Sequence, residues 1–144
     1  MQDVSDVRVR DVMERLVLWV LVDQTVSEAA ALFADESIGG APVCDPHGRV
    51  VGILTKTDVA ECVAAHDTER LVGDVMNPEV ISVNASDRLD RAVAVMAFEG
   101  VHRLIVLDDA HRLVGIVTPM DVLRELAGFG RRATRPPIAA PPPR

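Results

Sequence analysis

The chain contains nearly the same heptad twice, GILTKTD at Gly52–Asp58 and GIVTPMD at Gly115–Asp121. The positions of the two heptads differ by 63 residues (115 − 52). When the chain is compared with itself at this offset, the match needs no gap and about a third of the positions are identical, far more than chance produces at one fixed offset. The chain is therefore a tandem duplication from about residue 9 to about residue 127, and each half should form the same structural unit.

Both halves have the same order of sequence patterns. A short amphipathic lead segment, VRDVM or VGDVM, precedes a strand that we predict at Val17–Val22 in the first half and at Val80–Val83 in the second. A helix follows, then two short strands split by a turn (DPHGR or DDAHR), and a second helix begins within the heptad. The predicted order is β-α-β-β-α, twice.

The first helix of each half carries apolar residues at helical spacing. The stripes coincide under the offset and consist of Val26, Ala29, Ala30 and Phe33 in one half and Leu89, Ala92, Val93 and Met96 in the other. With 144 residues, of which 49% are hydrophobic, the chain has enough apolar material for one compact core. We therefore expect one domain of two halves whose helices face one common core.

Hydropathy and charge argue against membranes and nucleic acids as partners. The longest apolar run, Leu16–Val22, is shorter than the ~20 residues of a membrane span, and the N-terminus has no apolar signal segment, so we expect a cytoplasmic protein without membrane insertion. The net charge of −7 becomes −11 for residues 1–130, because four arginines lie beyond residue 130 (−7 − 4). Such an acidic surface repels a phosphate backbone, and one Trp, three Phe and no Tyr offer no platform on which bases could stack. Both features argue against binding of DNA or RNA.

Catalysis and metal binding find little support. Cys44 and Cys62 have no metal-ligand spacing and are interpreted as small buried hydrophobes, and no two of the four histidines show ligand spacing. The sequence has no nucleophile turn and no Gly-rich phosphate loop, so we expect no enzyme activity and no metal site. Residues 128–144 form a Pro/Arg-rich tail that we predict to be disordered, either a solvated end or a docking peptide for a Pro-binding groove or an anionic partner.

The heptads have a structural explanation of their own. Thr118 is a good helix N-cap, Pro119 suits the first helical position, and Asp121 stands where the acid of a capping box reaches back to the cap N–H. Thr55 and Asp58 permit the same box, so helix stability alone would account for both pairs. The same geometry also suits a ligand, because a helix N-terminus attracts phosphate and a carboxylate with a spare oxygen accepts both hydroxyls of a ribose.

The β-α-β-β-α order, the Gly-hydrophobic-x-Thr-x-x-Asp ending and the tandem copy together resemble the CBS domain pair, also called a Bateman module. The resemblance covers residues 9–127, with a first motif at residues 9–66 and a second at residues 72–127. It implies an α+β fold in which the two repeats pack sheet to sheet about a pseudo-two-fold axis and leave two clefts. It also implies a homodimer, because two chains of this family commonly associate into a flat disc.

The resemblance further implies that the Asp of the heptad binds a ribose diol and that the Thr, with nearby cations, binds phosphate. The stretch GVHRLIVLDD at Gly100–Asp109 is similar to the corresponding part of the gamma subunit of AMP-activated protein kinase, which makes His102 and Arg103 candidate phosphate contacts. A solvated rim is the alternative interpretation of this pair. In the family arrangement the pair would face the first heptad across a cleft, at Thr55, Lys56, Thr57 and Asp58.

In a second cleft, Thr118 and Asp121 would face the segment Gly39, Gly40 and Ala41. Pro119 and Met120 replace the cation and the hydroxyl of the first heptad, so we expect a nucleoside-like or weakly bound molecule in this cleft, or none, rather than a polyphosphate. Val80, at the start of the second predicted strand, completes the candidate ligand-binding residues.

These features predict a regulatory module that senses AMP, ADP, ATP or another adenosyl compound and passes its occupancy to a regulated protein of unknown identity. No cofactor is assigned beyond such a regulator. The alternative is a ligand-free dimerisation scaffold whose heptads serve only as helix caps. Lys56, His102 and Arg103 on one predicted cleft favour sensing. Trp19 is interpreted as buried or as a chain–chain contact, with stacking over a purine as the alternative.

Overall fold

The computed structural model describes residues 6–15, 17–36, 39–128 and 139–140, which divide into two compact units. The first-repeat unit holds the described residues of 18–80 together with residue 140, and the second-repeat unit holds those of 1–17 and 81–139. Along the chain the elements are α1 (Val9–Val12), β1 (Val17–Leu18), β2 (Val20–Leu21), α2 (Val26–Glu36), β3 (Gly40–Cys44), β4 (Val50–Thr55), α3 (Lys56–Ala64), α4 (Val72–Val75), β5 (Ser82–Asn84), α5 (Leu89–Glu99), β6 (Leu104–Leu107), β7 (Leu113–Val117), α6 (Pro119–Leu126) and β8 (Ala139–Ala140).

The first-repeat unit is built on a three-stranded sheet in the order β2-β3-β4, with β2 parallel to β3 and β3 antiparallel to β4. Helix α2 crosses from β2 to β3, and α3 follows β4 and contacts α2. The apolar faces of these elements enclose one core. Its buried residues are Val20, Val26, Ala29, Phe33, Ala41, Val43, Leu54, Val59, Cys62 and Val72.

The second-repeat unit repeats this plan with the strand order β5-β6-β7 and the same parallel and antiparallel pairings. The ladder irregularity between Val43 and Cys44 recurs between Val106 and Leu107, at equivalent positions of the two repeats. The buried core residues are Val9, Val12, Met13, Val83, Leu89, Ala92, Met96, Leu104, Val106, Val117 and Val122. The α+β fold class and the twice-repeated β-α-β-β-α order are therefore confirmed.

The expectation of one common core is wrong, because the buried apolar residues of the described ranges form two clusters, one in each unit. Each three-stranded sheet packs against the helices of its own unit, including the lead helix that comes from elsewhere in the sequence. Val93 was also misassigned to the core, since its side chain is 39% exposed, whereas Leu89, Ala92 and Met96 are buried. One stripe at i, i+3 and i+7 is enough to cover the sheet.

The short lead helices do not lie in the unit of their own sequence repeat. Helix α1 belongs to the second-repeat unit, and α4 belongs to the first-repeat unit. After α1, Glu14 and Ile116 exchange two backbone hydrogen bonds of 2.8 and 3.0 Å, and after α4, Asn77 and Ile53 exchange two of 2.9 Å. Each lead segment thus bridges to the last strand of the sheet it covers.

This bridge explains the glycine that opens each heptad. A Cβ on Gly52 would lie 2.5 Å from the Met76 sulfur and 2.8 Å from the Asn77 carbonyl oxygen. A Cβ on Gly115 would lie 2.6 Å from the Met13 sulfur and 3.0 Å from the carbonyl oxygen of the following glutamate. Only glycine leaves room for the lead segment to cross so close to the strand.

Three local predictions differ from the structure or extend beyond its described part. The predicted strand Val17–Val22 is split into β1 and β2, and the half-buried Trp19 lies between them. The predicted strand Val80–Val83 begins at Ser82 instead. Within the tail at residues 128–144, Ala139–Ala140 pairs with Val17–Leu18, while most of the tail lies outside the described residues. No described helix combines the length and the apolar character needed to cross a membrane.

Candidate functional site

The first candidate site is the capping box where β4 passes into α3. The Thr55 hydroxyl oxygen accepts the Asp58 N–H at 3.1 Å, and Asp58 Oδ2 accepts the Thr55 N–H at 2.9 Å. These reciprocal bonds satisfy donors that the first turn of a helix leaves without partners. Lys56 and Thr57 lie between them in the sequence, and both side chains are exposed. The predicted box at this position is confirmed.

The second candidate site is the equivalent box where β7 passes into α6. Asp121 Oδ2 accepts the Thr118 N–H at 2.9 Å, and the Asp121 N–H approaches the Thr118 hydroxyl at 3.4 Å. Pro119 occupies the first turn of the helix, where its missing N–H costs nothing. Here too the predicted cap is confirmed.

The two boxes differ in the atoms that remain available. In the second box the Thr118 hydroxyl donates to Asp121 Oδ2 at 3.1 Å, and the Arg124 guanidinium lies 3.5 Å from Asp121 Oδ1. Asp58 Oδ1 has no hydrogen-bond or ion-pair partner among the residues described. The position equivalent to Arg124 is Glu61, which carries the opposite charge. The first box thus keeps a free carboxylate oxygen that the second box has engaged.

The side chain of Asp121 is largely buried. Its side chain is 14% exposed, and this desolvation raises the pKa of the carboxyl above its ordinary value of 3.8. Hydrogen bonds from Thr118 and the charge of Arg124 oppose the shift, whereas Glu14 reinforces it. The carboxylate of Asp121 is therefore held inside a local network instead of being presented to solvent.

The structure groups the remaining candidate residues by repeat. Gly39 and Gly40 adjoin the first box, because the Lys56 N–H donates to the Gly39 carbonyl at 2.8 Å and Gly40 pairs with Thr55 across β3 and β4. Ala41 is the next residue of β3 and is buried, and Val80 is half-buried in the segment that ends this unit.

His102 and Arg103 are exposed and lie immediately before β6. Leu104, the first residue of β6, pairs with Val117, and Thr118 follows Val117 directly. His102 and Arg103 therefore share a sheet edge with the second box, at positions equivalent to Gly39 and Gly40. Their facing the first box across a cleft stays a prediction.

A groove that the sequence did not reveal borders the first box. It lies within the first-repeat unit and has a volume of about 350 Å³. Its lining residues are Asp58, Glu61, Cys62, Ala65, Asp67, Arg70, Asp74 and Val75. Arg70 lies 3.6 Å from Asp67, so the single cation of this lining is already paired. In the sequence, only the run of acids along α3 and the following turn hints at this groove. The groove forms because α4 brings Asp74 and Val75 beside these residues.

The cysteines show no reactive character. Cys44 and Cys62 are both buried and unpaired by any disulfide. Burial, with a smaller contribution from the charge of Asp45, raises the pKa of the Cys44 thiol to about 12, so the thiol stays protonated at neutral pH. Within the described ranges, no group of three or more His, Cys, Asp or Glu residues is placed to hold a metal ion.

Comparison with known families settles what this architecture is. The CBS domain family matches the chain twice, at residues 9–65 and 72–128. The chain belongs to the CBS domain family. A similar relative is the CBS domain-containing protein YhcV of Bacillus subtilis (strain 168), which is 35% identical over 116 residues, corresponding to 79% of this chain and 81% of that protein. The chain spans only 21% to 42% of the length of several other relatives.

Solved CBS domain pairs have the same fold. The CBS domain pair of protein MJ0100, in complex with 5′-methylthioadenosine and S-adenosyl-L-methionine, is 28% identical with a TM-score of 0.69, covering 85% of this chain and 97% of that one. CBSX2 in complex with AMP is 25% identical with a TM-score of 0.72, again covering 85% of this chain and 97% of the other. Both of these related CBS pairs bind compounds that contain adenosine.

Proposed function

We propose that this CBS domain pair is a regulatory module that binds AMP, ADP, ATP or another adenosyl compound and signals its occupancy to a partner protein. The observation that carries the proposal is the free Oδ1 of Asp58, a half-buried carboxylate at the N-terminus of α3 whose other oxygen is fixed by the Thr55 N–H. Such a carboxylate is oriented before a ligand arrives and can accept both hydroxyls of a ribose. The adenosine-containing ligands of two related CBS pairs support the same class of ligand.

The first box also supplies donors for phosphate. The Thr55 hydroxyl oxygen accepts the Asp58 N–H, and its proton has no acceptor among the residues described. The exposed ammonium of Lys56 adds a positive charge at the positive end of the α3 dipole. We propose that His102 and Arg103 complete the phosphate site from the other repeat and that Gly39, Gly40, Ala41 and Val80 belong to the ligand-binding surface.

We propose that the ligand contacts both repeats and that signalling follows from this. A ligand that contacts both repeats favours the arrangement that it binds more tightly, to the extent of its differential affinity. We propose that a homodimer of this kind is the form that the regulated protein recognises. Catalysis has no part in this function.

A screen of adenosyl compounds tests the proposal. AMP, ADP, ATP, S-adenosylmethionine, 5′-methylthioadenosine and NAD are each added to the protein, and the melting temperature is followed. A ligand present at 100 times its dissociation constant stabilises the folded state by ~2.7 kcal/mol, which is a clear thermal shift. If none of these compounds changes the melting temperature and titration calorimetry detects no heat of binding, the sensing function is wrong.

The second candidate function is a ligand-free dimerisation scaffold, and the exposed apolar residues of the second-repeat unit favour it. Phe98 on α5 is 88% exposed, and Met120 and Leu123 on α6 are 52% and 56% exposed. Exposed apolar side chains on neighbouring helices suit an interface between two proteins. Sedimentation together with calorimetric titration of AMP separates the two functions, because a scaffold dimerises and binds no nucleotide, whereas a sensor binds it.

A further inference from the structure

The inequality of the two capping boxes has a cause within α6. We infer that Arg124 prevents the second repeat from binding a ribose diol by occupying the Asp121 carboxylate, so that Asp58 alone serves as the diol acceptor of this chain. Arg124 is thus a positioning residue that determines which repeat takes the nucleoside. The inference rests on the proposed function and specifies which of the two boxes performs it.

Both oxygens of the Asp121 carboxylate have neighbours that a diol would meet. A carboxylate offers roughly four positions for hydrogen-bond donors, about two on each oxygen. Oδ2 receives the Thr118 N–H at 2.9 Å and the Thr118 hydroxyl at 3.1 Å. The Arg124 guanidinium lies 3.5 Å from Oδ1, as an ion pair and not as a hydrogen bond. The roughly two positions that remain are both on Oδ1, against which the guanidinium stands, whereas a ribose diol brings two donors.

The carboxylate of Asp58, in contrast, keeps most of its acceptor positions available. Its Oδ2 accepts the Thr55 N–H at 2.9 Å, and no other donor among the described residues reaches either oxygen. Roughly three acceptor positions therefore remain, enough for both hydroxyls of a diol. Glu61 stands at the position of Arg124 and cannot occupy Asp58, because an ionised carboxylate is only an acceptor.

The pair of Asp121 and Arg124 is also harder to displace than an ordinary surface ion pair. The two side chains are 14% and 32% exposed, whereas the pair of Asp87 and Arg91 on α5 has exposures of 29% and 65%. Water screens a partly buried pair less than an exposed one. A diol hydroxyl that approached Oδ1 would have to displace this partly buried guanidinium, a cost that does not arise at Asp58.

An exchange of the two residues provides the test. Arg124→Glu gives the second box the residue of the first, and Glu61→Arg gives the first box the residue of the second. Calorimetric titration with adenosine and with 2′-deoxyadenosine reports diol recognition, because the two nucleosides differ only in the 2′-hydroxyl. Arg91→Glu is the matched control for the charge reversal in the second-repeat unit, and Glu69→Arg is the control in the first-repeat unit.

We expect the wild-type chain to bind adenosine at one site, about tenfold or more tighter than 2′-deoxyadenosine, as the loss of one hydrogen bond to a charged group requires. Arg124→Glu should add a second site with the same preference for adenosine. Glu61→Arg should reduce the ratio of the two affinities to about one, and both controls should behave as wild type.

The inference alone would be overturned by two equal diol-selective sites in the wild-type chain, or by a single unchanged site in Arg124→Glu. If Glu61→Arg kept the wild-type preference for adenosine, an arginine at this position would not block the diol, and the inference would again be wrong. If the wild-type chain bound neither nucleoside nor AMP, the proposed function would itself be wrong, and the inference would fall with it. Circular dichroism of each variant shows that the compared proteins are folded.

Discussion

The Thr55–Asp58 and Thr118–Asp121 boxes have the same backbone bonds, yet they leave different atoms available to a ligand. Both carboxylates accept the cap N–H at 2.9 Å, and both threonines cap the helix that follows. In the second box the threonine hydroxyl and a guanidinium also bind the carboxylate, whereas in the first box they do not. The comparison teaches that a duplicated motif can preserve its capping role in both copies while the atoms left available to a ligand differ.

The glycine that opens each heptad gives the largest expected effect on stability in either repeat. Gly52→Ala should lower the free energy of unfolding by about 1 to 3 kcal/mol, as overpacking typically does, because the new methyl group would meet the Asn77 carbonyl oxygen at 2.8 Å. Gly115→Ala should cost less, since the nearest carbonyl oxygen lies at 3.0 Å. Urea denaturation of the two variants measures the difference.

Gly39→Ala is the matched control for these substitutions. No atom lies within 4 Å of a Cβ placed on Gly39, so the added methyl group meets nothing. Its free energy of unfolding should stay within about 0.5 kcal/mol of wild type, as for most surface substitutions. If Gly39→Ala destabilises the protein as much as Gly52→Ala does, the crossing of the lead segment is not what requires glycine.

The order of elements could be predicted from the sequence, whereas the grouping of those elements into cores could not. Helical spacing shows that Leu89, Ala92 and Met96 share a face, but it does not identify the surface that covers this face. That surface includes α1, whose Val9 and Val12 come from the other end of the sequence. The split of the first predicted strand had a similar origin, because the apolar run around Trp19 does not show that its two halves pair with different strands.

Loss of the cap threonine should lower the stability of the protein by less than the glycine substitutions do, and by different amounts in the two boxes. Thr55→Ala removes one cap bond, which typically costs about 0.5 to 2 kcal/mol. Thr118→Ala removes a weaker cap bond of 3.4 Å together with the hydroxyl bond to Asp121, so the buried carboxylate loses a donor as well. We expect Thr118→Ala to be the more destabilising of the two in thermal denaturation. The reverse order would show that the hydroxyl bond to Asp121 contributes nothing.

Removal of the cation in the first heptad should have a modest effect on binding. Lys56 is exposed, so Lys56→Ala should lower the affinity for AMP by about two- to fivefold. This matches the ~0.2 to 1 kcal/mol that exposed charge pairs typically contribute. Adenosine carries no phosphate, and its affinity should not change. Calorimetry at low and high salt checks the cause, because screening should shrink the effect of the substitution on AMP. Arg49→Ala, which removes an exposed cation of the same unit, is the control.

The smallest expected difference concerns pH. Burial raises the folded-state pKa of Asp121, so its protonated form stabilises the folded protein below the ordinary pKa of 3.8, and this contribution is lost as pH rises through the folded-state pKa. The stability of wild type relative to Asp121→Asn should therefore fall with rising pH in urea titrations from roughly pH 3 to 7. A relative stability that rises over this range would contradict the burial argument.

Asp45→Asn provides a control of opposite sign. Backbone hydrogen bonds, first from Arg49, hold the pKa of the Asp45 carboxyl below its ordinary value. Its contribution to stability is present above that ordinary value and lost as pH falls through the folded-state pKa. The stability of wild type relative to Asp45→Asn should thus rise with pH where that of Asp121→Asn falls.

The caps of the candidate site could be predicted from local spacing, whereas the engagement of Asp121 was missed. Its signal was present in the sequence, because Arg124 stands three residues after Asp121 on a helix and Glu61 stands three residues after Asp58. The groove beside Asp58 had no comparable local signal, since Asp74 and Val75 reach it from α4. Local patterns thus predict which groups meet along one helix, and they do not predict which groups a distant segment brings to them.

The most direct test of the account is the affinity of AMP for Asp58→Asn and Asp121→Asn, measured by titration calorimetry. Asparagine keeps an acceptor for the cap N–H in both variants and removes the carboxylate charge, so both helices remain capped. The account predicts that Asp58→Asn lowers the affinity for AMP by about tenfold or more. It predicts that the affinity of Asp121→Asn for AMP stays within about twofold of wild type. Equal losses in the two variants, or a larger loss in Asp121→Asn, would contradict it.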